Sequence, residues 1–146
     1  MSKVFAQNQK AIFNYDLLEK YEAGLVLIGQ EVKSIRLGRA NLQGSYIIPK
    51  KQELWLTSCY IPPYQPKNAP DYWPQRDRKL LLTKKELSYL LGKTTQKGLT
   101  LLPLKIYTND GKLKLEFSLA KIIKKGDKRE KIKKREIEKE MKQAVG

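Results

Sequence analysis

Residues 102–119, LPLKIYTNDGKLKLEFSL, decide the fold. Leu102, Leu104 and Ile106 alternate with Pro103, Lys105 and Tyr107, and Leu113, Leu115, Phe117 and Leu119 alternate with Lys114, Glu116 and Ser118. A period of two gives each run one apolar and one solvated face, the pattern of antiparallel strands packed on one side only. Between the runs, Asn109-Asp110-Gly111 supplies residues that tolerate the left-handed backbone of a tight reversal, so the spacing predicts a hairpin. Pro103 has no N–H to give a ladder and is expected at an edge or a bulge.

The same reading carried outward finds a second hairpin, with Ser45–Ile48 and Leu54–Cys59 as strands around a polar turn. Leu25–Ile28 is predicted as a short strand between Gly24 and Gly29, and Lys79–Thr83 as another. Glu31–Leu37 is predicted as a helix stopped by Gly38, with Lys33 and Arg36 sharing a side and Arg39 just beyond the glycine. Lys84–Leu91 is expected as a helix burying Leu87, Leu90 and Leu91 and ending at Gly92. Apolar residues at helical spacing around Ile12, Phe13, Tyr15, Leu17 and Leu18 predict an amphipathic helix over Gln9–Tyr21. Five of the seven prolines fall between Tyr60 and Gln75, which predicts a stiff surface loop whose rings cap an open barrel end. About six short strands and three short helices, without βαβ alternation or a repeat, point to a mainly β fold: a small antiparallel barrel carrying helices.

A length of 146 residues suits one domain. Thirty Lys and Arg stand against fifteen acids, a net charge of +15 that calls for a polyanionic partner, nucleic acid before a membrane surface. No amphipathic helix with bulky aromatics suits a membrane surface, no apolar run approaches the roughly 18 residues of a membrane span, and no export signal follows Met1-Ser2-Lys3, so a soluble intracellular protein is expected. Histidine is absent, which removes Ser-His and Cys-His catalysis and most zinc sites. The single Cys59 is read as a small buried hydrophobe. An enzyme would have to work with carboxylates such as Glu22, Glu31, Asp71 or Asp77 and Mg²⁺, so no catalysis, metal or cofactor is expected. Residues 121–146 carry 11 basic and 5 acidic side chains and no aromatics, and are separated from a body of residues 1–120 as a tail expected to be disordered when free. Ile137, Met141 and Val145, spaced by four, suggest that it becomes helical on binding.

The stretch Tyr21–Tyr46, YEAGLVLIGQEVKSIRLGRANLQGSY, resembles the SsrA-binding (small protein B) family, which carries a run of F/Y-E-A-G, hydrophobics, G-x-E-V-K-S and R-x-G-x-A-N. Arg76–Leu82, RDRKLLL, is similar to the basic-then-leucine strand of that family, and Asn8, Lys10, Ala11 and Tyr15 to its N-terminal motif. The resemblance implies an oligonucleotide-binding-type barrel that binds transfer-messenger RNA without being an enzyme. It implies RNA contact by Asn8, Lys10, Tyr15, Glu22, Lys33, Arg36, Arg39, Asn41, Arg76, Arg78, Lys79, Leu81 and Thr83. Glu22, an acceptor-only group, suits base or 2′-hydroxyl donors and not phosphate. Lys121, Lys124, Lys125, Asp127, Lys128 and Arg129 match a tail segment that the family places in the messenger channel near the decoding centre of the small ribosomal subunit. The chain departs from the pattern at Ile12, Phe13, Thr83, Ile122, Ile123 and Gly126. Further implications are rescue of stalled ribosomes, an indirect partnership with elongation factor Tu, a monomer when free, and a bacterial cytoplasmic or plastid location. The alternative reading is a basic ribosomal or ribosome-assembly protein that binds ribosomal RNA.

Overall fold

The structure, a computed structural model, describes residues 3–9 and 13–123, with Asn68 described by its backbone alone. Seven strands, β1 (Val4–Gln7), β2 (Tyr15–Leu25), β3 (Tyr46–Lys50), β4 (Glu53–Thr57), β5 (Arg78–Leu81), β6 (Leu99–Asn109) and β7 (Lys112–Ile122), form one antiparallel sheet in the order β1-β6-β3-β4-β5-β2-β7. Pairing of β6 with β7 closes the ring into a barrel of the oligonucleotide-binding type. The other edge of β6 is divided, with β3 opposite Leu101 and β1 opposite Lys105–Tyr107. Two helices, α1 (Gly29–Arg36) and α2 (Lys84–Lys93), and a 3-10 turn (Pro66–Asn68) complete the described elements.

The expected β6–β7 hairpin forms, with Asp110 at φ 52° and Gly111 at φ 76° making its turn. Pro103 stands beside a register shift between Pro103 and Lys105, so the bulge absorbs its missing donor. Leu101, Ile106, Leu115 and Phe117 point into a core shared with Ile35, Leu54, Leu56, Leu80 and Leu90. The β3–β4 hairpin also forms, but its turn is Lys51-Gln52, both at positive φ, and Pro49 lies within β3.

Several expectations are corrected. The amphipathic helix expected over Gln9–Tyr21 is overturned from Tyr15 onward, where the chain is β2, paired with β7 from Tyr15–Ile122 to Gly24–Lys114. Its ladder slips between Leu17 and Glu19, so a bulge at Leu18 breaks the alternation that marks a strand. Leu25 ends β2, and no separate strand covers Val26–Ile28. Gly92 lies inside α2, whose end is closed by Thr94 and Thr95 hydroxyls donating to the carbonyls of Leu91 and Gly92. β7 continues through Ile122, so Lys121 and Ile122 are strand residues, paired with Asp16 and Tyr15.

One buried carboxylate ties the pieces together. Glu31, in the first turn of α1, is fully buried, and its Oε1 accepts the Ile28 N–H at 3.0 Å, which closes the helix start. Its other contacts come from Arg78 (Nε to Oε2 2.8 Å), Arg76 (Nε to Oε2 3.1 Å) and the Tyr72 hydroxyl (3.0 Å). Arg78 is also fully buried and donates to the carbonyls of Cys59 (2.6 Å) and Pro74 (2.9 Å). Thus α1, the proline loop, the end of β4 and β5 converge on one charge pair. Tyr72 ties the proline loop down by donating its hydroxyl to the Ile61 carbonyl at 2.7 Å, whereas Trp73 is 64% exposed. Cys59 is buried as expected, and burial pushes its thiol up to about 11.

Desolvation pushes the Glu31 carboxyl upward, but hydrogen bonds from Arg76, the Ile28 N–H and Arg78 outweigh it and hold it below its ordinary 4.5. A carboxyl depressed on folding contributes stability above its unfolded value and loses it as pH falls through the folded value. Glu31→Gln, which leaves two arginines without their anion, is expected to cost about 3–5 kcal/mol near neutral pH in urea unfolding. That difference shrinks as pH falls below 4.5. A difference constant down to low pH would mean that the charge is not what Glu31 contributes.

Candidate nucleic-acid interface

The outward residues of β5, β2, β7 and β6 form one continuous face, because strand residues two apart point the same way and neighbours in register lie side by side. On β2 these are Lys20, Glu22 and Gly24, on β7 Glu116, Lys114 and Lys112, on β6 Lys105, Tyr107 and Asn109, and on β5 Lys79 and Leu81. Glu22 pairs with Glu116, and Gly24 pairs with both Lys114 and Leu81. A Cβ on Gly24 would stand 3.3 Å from that of Leu81, so glycine gives this leucine a close seat across β2, with half its surface exposed.

Charges on the face are unevenly matched. Glu116 takes both Lys105 (3.4 Å) and Lys20 (4.0 Å). Glu22 has no cation among the described residues: its carboxylate accepts the Tyr107 hydroxyl, across the width of β7, and the Asn109 Nδ2 at 3.2 and 3.3 Å. Burial and the Glu22 hydrogen bond raise the Tyr107 phenol, so it stays a donor. Arg36 reaches from α1 to the Gly111 carbonyl at 2.8 Å and pins the hairpin turn beside this group. Lys112 and Lys114 make no ion pair among the described residues. The face therefore offers a carboxylate acceptor, a flat leucine and unpaired lysines: a donor reader, an apolar rest and phosphate contacts.

The residues picked from sequence fall into three groups. Glu22, Leu81 and Arg36 come together at this face. Lys33 shares α1 with Arg36 but reaches elsewhere, its Nζ 5.3 Å from the centre of the Tyr64 ring. Arg39 is exposed without an ion pair among the described residues, and Lys79 leans on Glu53 at 3.6 Å.

A second group is engaged by the protein itself, Arg78 and Asn8 as buried side chains and Arg76, Asn41 and Thr83 through hydrogen bonds nearer the surface. Arg78 cannot present itself to an RNA in this fold, since it is fully buried on Glu31, and Arg76 is turned onto the same carboxylate. Asn8 is 4% exposed, donating from Nδ2 to the Pro103 carbonyl at 3.0 Å while its N–H holds Leu104, so it braces the β6 bulge. Asn41 accepts the Gln43 N–H at 2.9 Å and pairs its backbone with Tyr60. Thr83 is the N-cap of α2: its Oγ1 accepts the Glu86 N–H at 3.2 Å, and the Glu86 carboxylate reaches back to the Thr83 N–H.

The third group stands apart or outside. Tyr15 lines a groove of about 450 Å³ with Asn14, Tyr46 and Thr100, at the opposite end of β2 from Gly24. Lys10, with Ile12, lies outside the described residues, as do Lys124, Lys125, Gly126, Asp127, Lys128 and Arg129. Lys121 is exposed on β7. Alternation shows only that Tyr107, Asn109 and Lys114 face outward, and it takes the pairing of β2 with β7 to put them beside Glu22.

Comparison with known proteins gives the family and the fold. The family described as "SmpB protein" matches residues 5–146. The chain is 51% identical over 144 residues to the SsrA-binding protein of Sulfurihydrogenibium sp. (strain YO3AOP1), covering 96% of this chain and 95% of that protein. It is 49% identical over 145 residues to the SsrA-binding protein of Carboxydothermus hydrogenoformans, covering 99% and 97%. A solved structure described as "tmRNA-SmpB: a journey to the center of the bacterial ribosome" superposes with a TM-score of 0.66 at 48% identity, over 82% of this chain and 84% of that one. With a family match over nearly its whole length, a barrel of the expected type and relatives at about half identity, this chain belongs to the SmpB family.

Proposed function

We propose that this chain binds SsrA RNA, the transfer-messenger RNA, and brings it to stalled bacterial ribosomes for trans-translation. The observation that carries this reading is the likeness to SsrA-binding proteins along nearly the full length of both partners. The outer face of β5-β2-β7-β6 supplies a chemical account: Glu22 accepts donors of the folded RNA, Leu81 packs on a base or ribose, and Arg39, Lys112 and Lys114 take phosphates. Buried Arg78 and Asn8, with Arg76 turned onto Glu31, support that face from within, while Asn41 and Thr83 stay exposed beside their own hydrogen bonds. Basic residues beyond Ile123 enter the messenger channel towards the decoding centre, Lys10 and Tyr15 contribute from the other end of β2, and elongation factor Tu joins through the charged RNA. The free protein is a cytoplasmic monomer that makes or breaks no bond. Nothing observed favours the ribosome-assembly alternative.

Glu22→Ala is expected to weaken binding of the tRNA-like domain about tenfold, the cost of a charge-assisted hydrogen bond, with thermal unfolding unchanged. Filter binding at fixed salt checks it, and wild-type affinity would remove Glu22 from the interface. Arg39→Ala is expected to lower the slope of log affinity against log salt by about one. An unchanged slope would show that Arg39 meets no phosphate. Ending the chain after Ile123, which spares all of β7, should leave RNA binding intact and abolish tagging on stalled ribosomes. Tagging that persists would refute the role given to the tail.

A further inference from the structure

We infer that Tyr107 and Asn109 are positioning residues, which fix the Glu22 carboxylate in the orientation that receives the RNA. This inference rests on the reading of Glu22 as an RNA contact and extends it to two side chains far away in sequence.

Glu22 stands at the edge of a chain carrying +15, yet its partners among the described residues are two neutral donors, the Tyr107 hydroxyl and the Asn109 amide. Neighbouring Glu116 shows the ordinary outcome on this same face, with two lysines in reach. Neutral donors hold a carboxylate in place without cancelling its charge. A lysine would do both, and would compete with an incoming N–H or O–H. The two donors are themselves held. The Lys105 ammonium lies 5.2 Å from the centre of the Tyr107 ring, and Arg36 fixes the turn that follows Asn109 through Gly111. An exposed glutamate left alone would sample several rotamers and lose that freedom on binding. Here the ordering is done before the ligand arrives, and Glu22 is exposed, so its remaining acceptor capacity is open to imino, amino or 2′-hydroxyl donors.

The test is a double-mutant cycle on the full chain, with the tRNA-like domain of transfer-messenger RNA as the probe and an unrelated hairpin of equal length as the control. Tyr107→Phe keeps the ring and removes only the hydroxyl. It is expected to weaken specific binding about five- to tenfold, and Asn109→Ser, which gives up a longer contact, about two- to threefold. In a Glu22→Ala background each loss should fall below about twofold, because the carboxylate they orient is gone. The salt slope should stay at the wild-type value in both variants, since no phosphate contact is removed. A Tyr107→Phe loss that persists in full without Glu22 would overturn the inference and make Tyr107 a direct RNA contact or a purely structural residue. If instead Glu22→Ala alone changes nothing, the reading of Glu22 falls and this inference falls with it. Wild-type preference for the probe over the control keeps those two failures distinct.

Discussion

A carboxylate sealed from water must be matched by cations and donors at close range, and Glu31 imposes that requirement on every segment around it. α1 brings the charge, β5 brings Arg78, the turn before β5 brings Arg76, and the proline loop brings Tyr72. Arg78 then fastens the end of β4 and the proline loop through the carbonyls of Cys59 and Pro74. The path of β5 is thereby fixed against β2, where Leu80 and Leu81 pair with Leu25 and Gly24. The outer face of the sheet owes its shape to a charge pair on the inside.

This arrangement also sorts the basic residues, which look alike in the sequence. Arg76, Arg78, Lys50, Lys79 and Lys105 are engaged with acids of the protein itself, whereas Arg39, Lys112 and Lys114 are not, among the described residues. Net charge draws a polyanion to the surface as a whole, but only the second kind can exchange a counterion for a phosphate without first breaking an internal contact.

The sequence made parts of this legible. The β6–β7 hairpin announces itself through strict alternation and Asn109-Asp110-Gly111, and the family motif brings Glu22, Leu81 and Arg36 to attention. β2 was hidden because the residues it buries are Ala23 and Gly24, which carry little hydrophobic signal, while the bulge at Leu18 puts Leu17 and Leu18 together in a helix-like spacing. β1 has four residues and only an edge pairing, too little for a period to show. A buried arginine has no signature of its own: Arg78 sits between Asp77 and Lys79 and looks like surface charge until Glu31 is found opposite. The Tyr107–Glu22 contact crosses an intervening strand, and the long-range pairing of β2 with β7, not local pattern, creates it.

Gly24 and Leu81 meet across a strand pair, where a Cβ added at 24 would stand 3.3 Å from that of Leu81. A side chain gained at 24 would press on the leucine, which would have to give by a few tenths of an ångström. The two positions therefore bear on one another's choice of residue, even though a helix, a hairpin and the whole proline loop separate them along the chain.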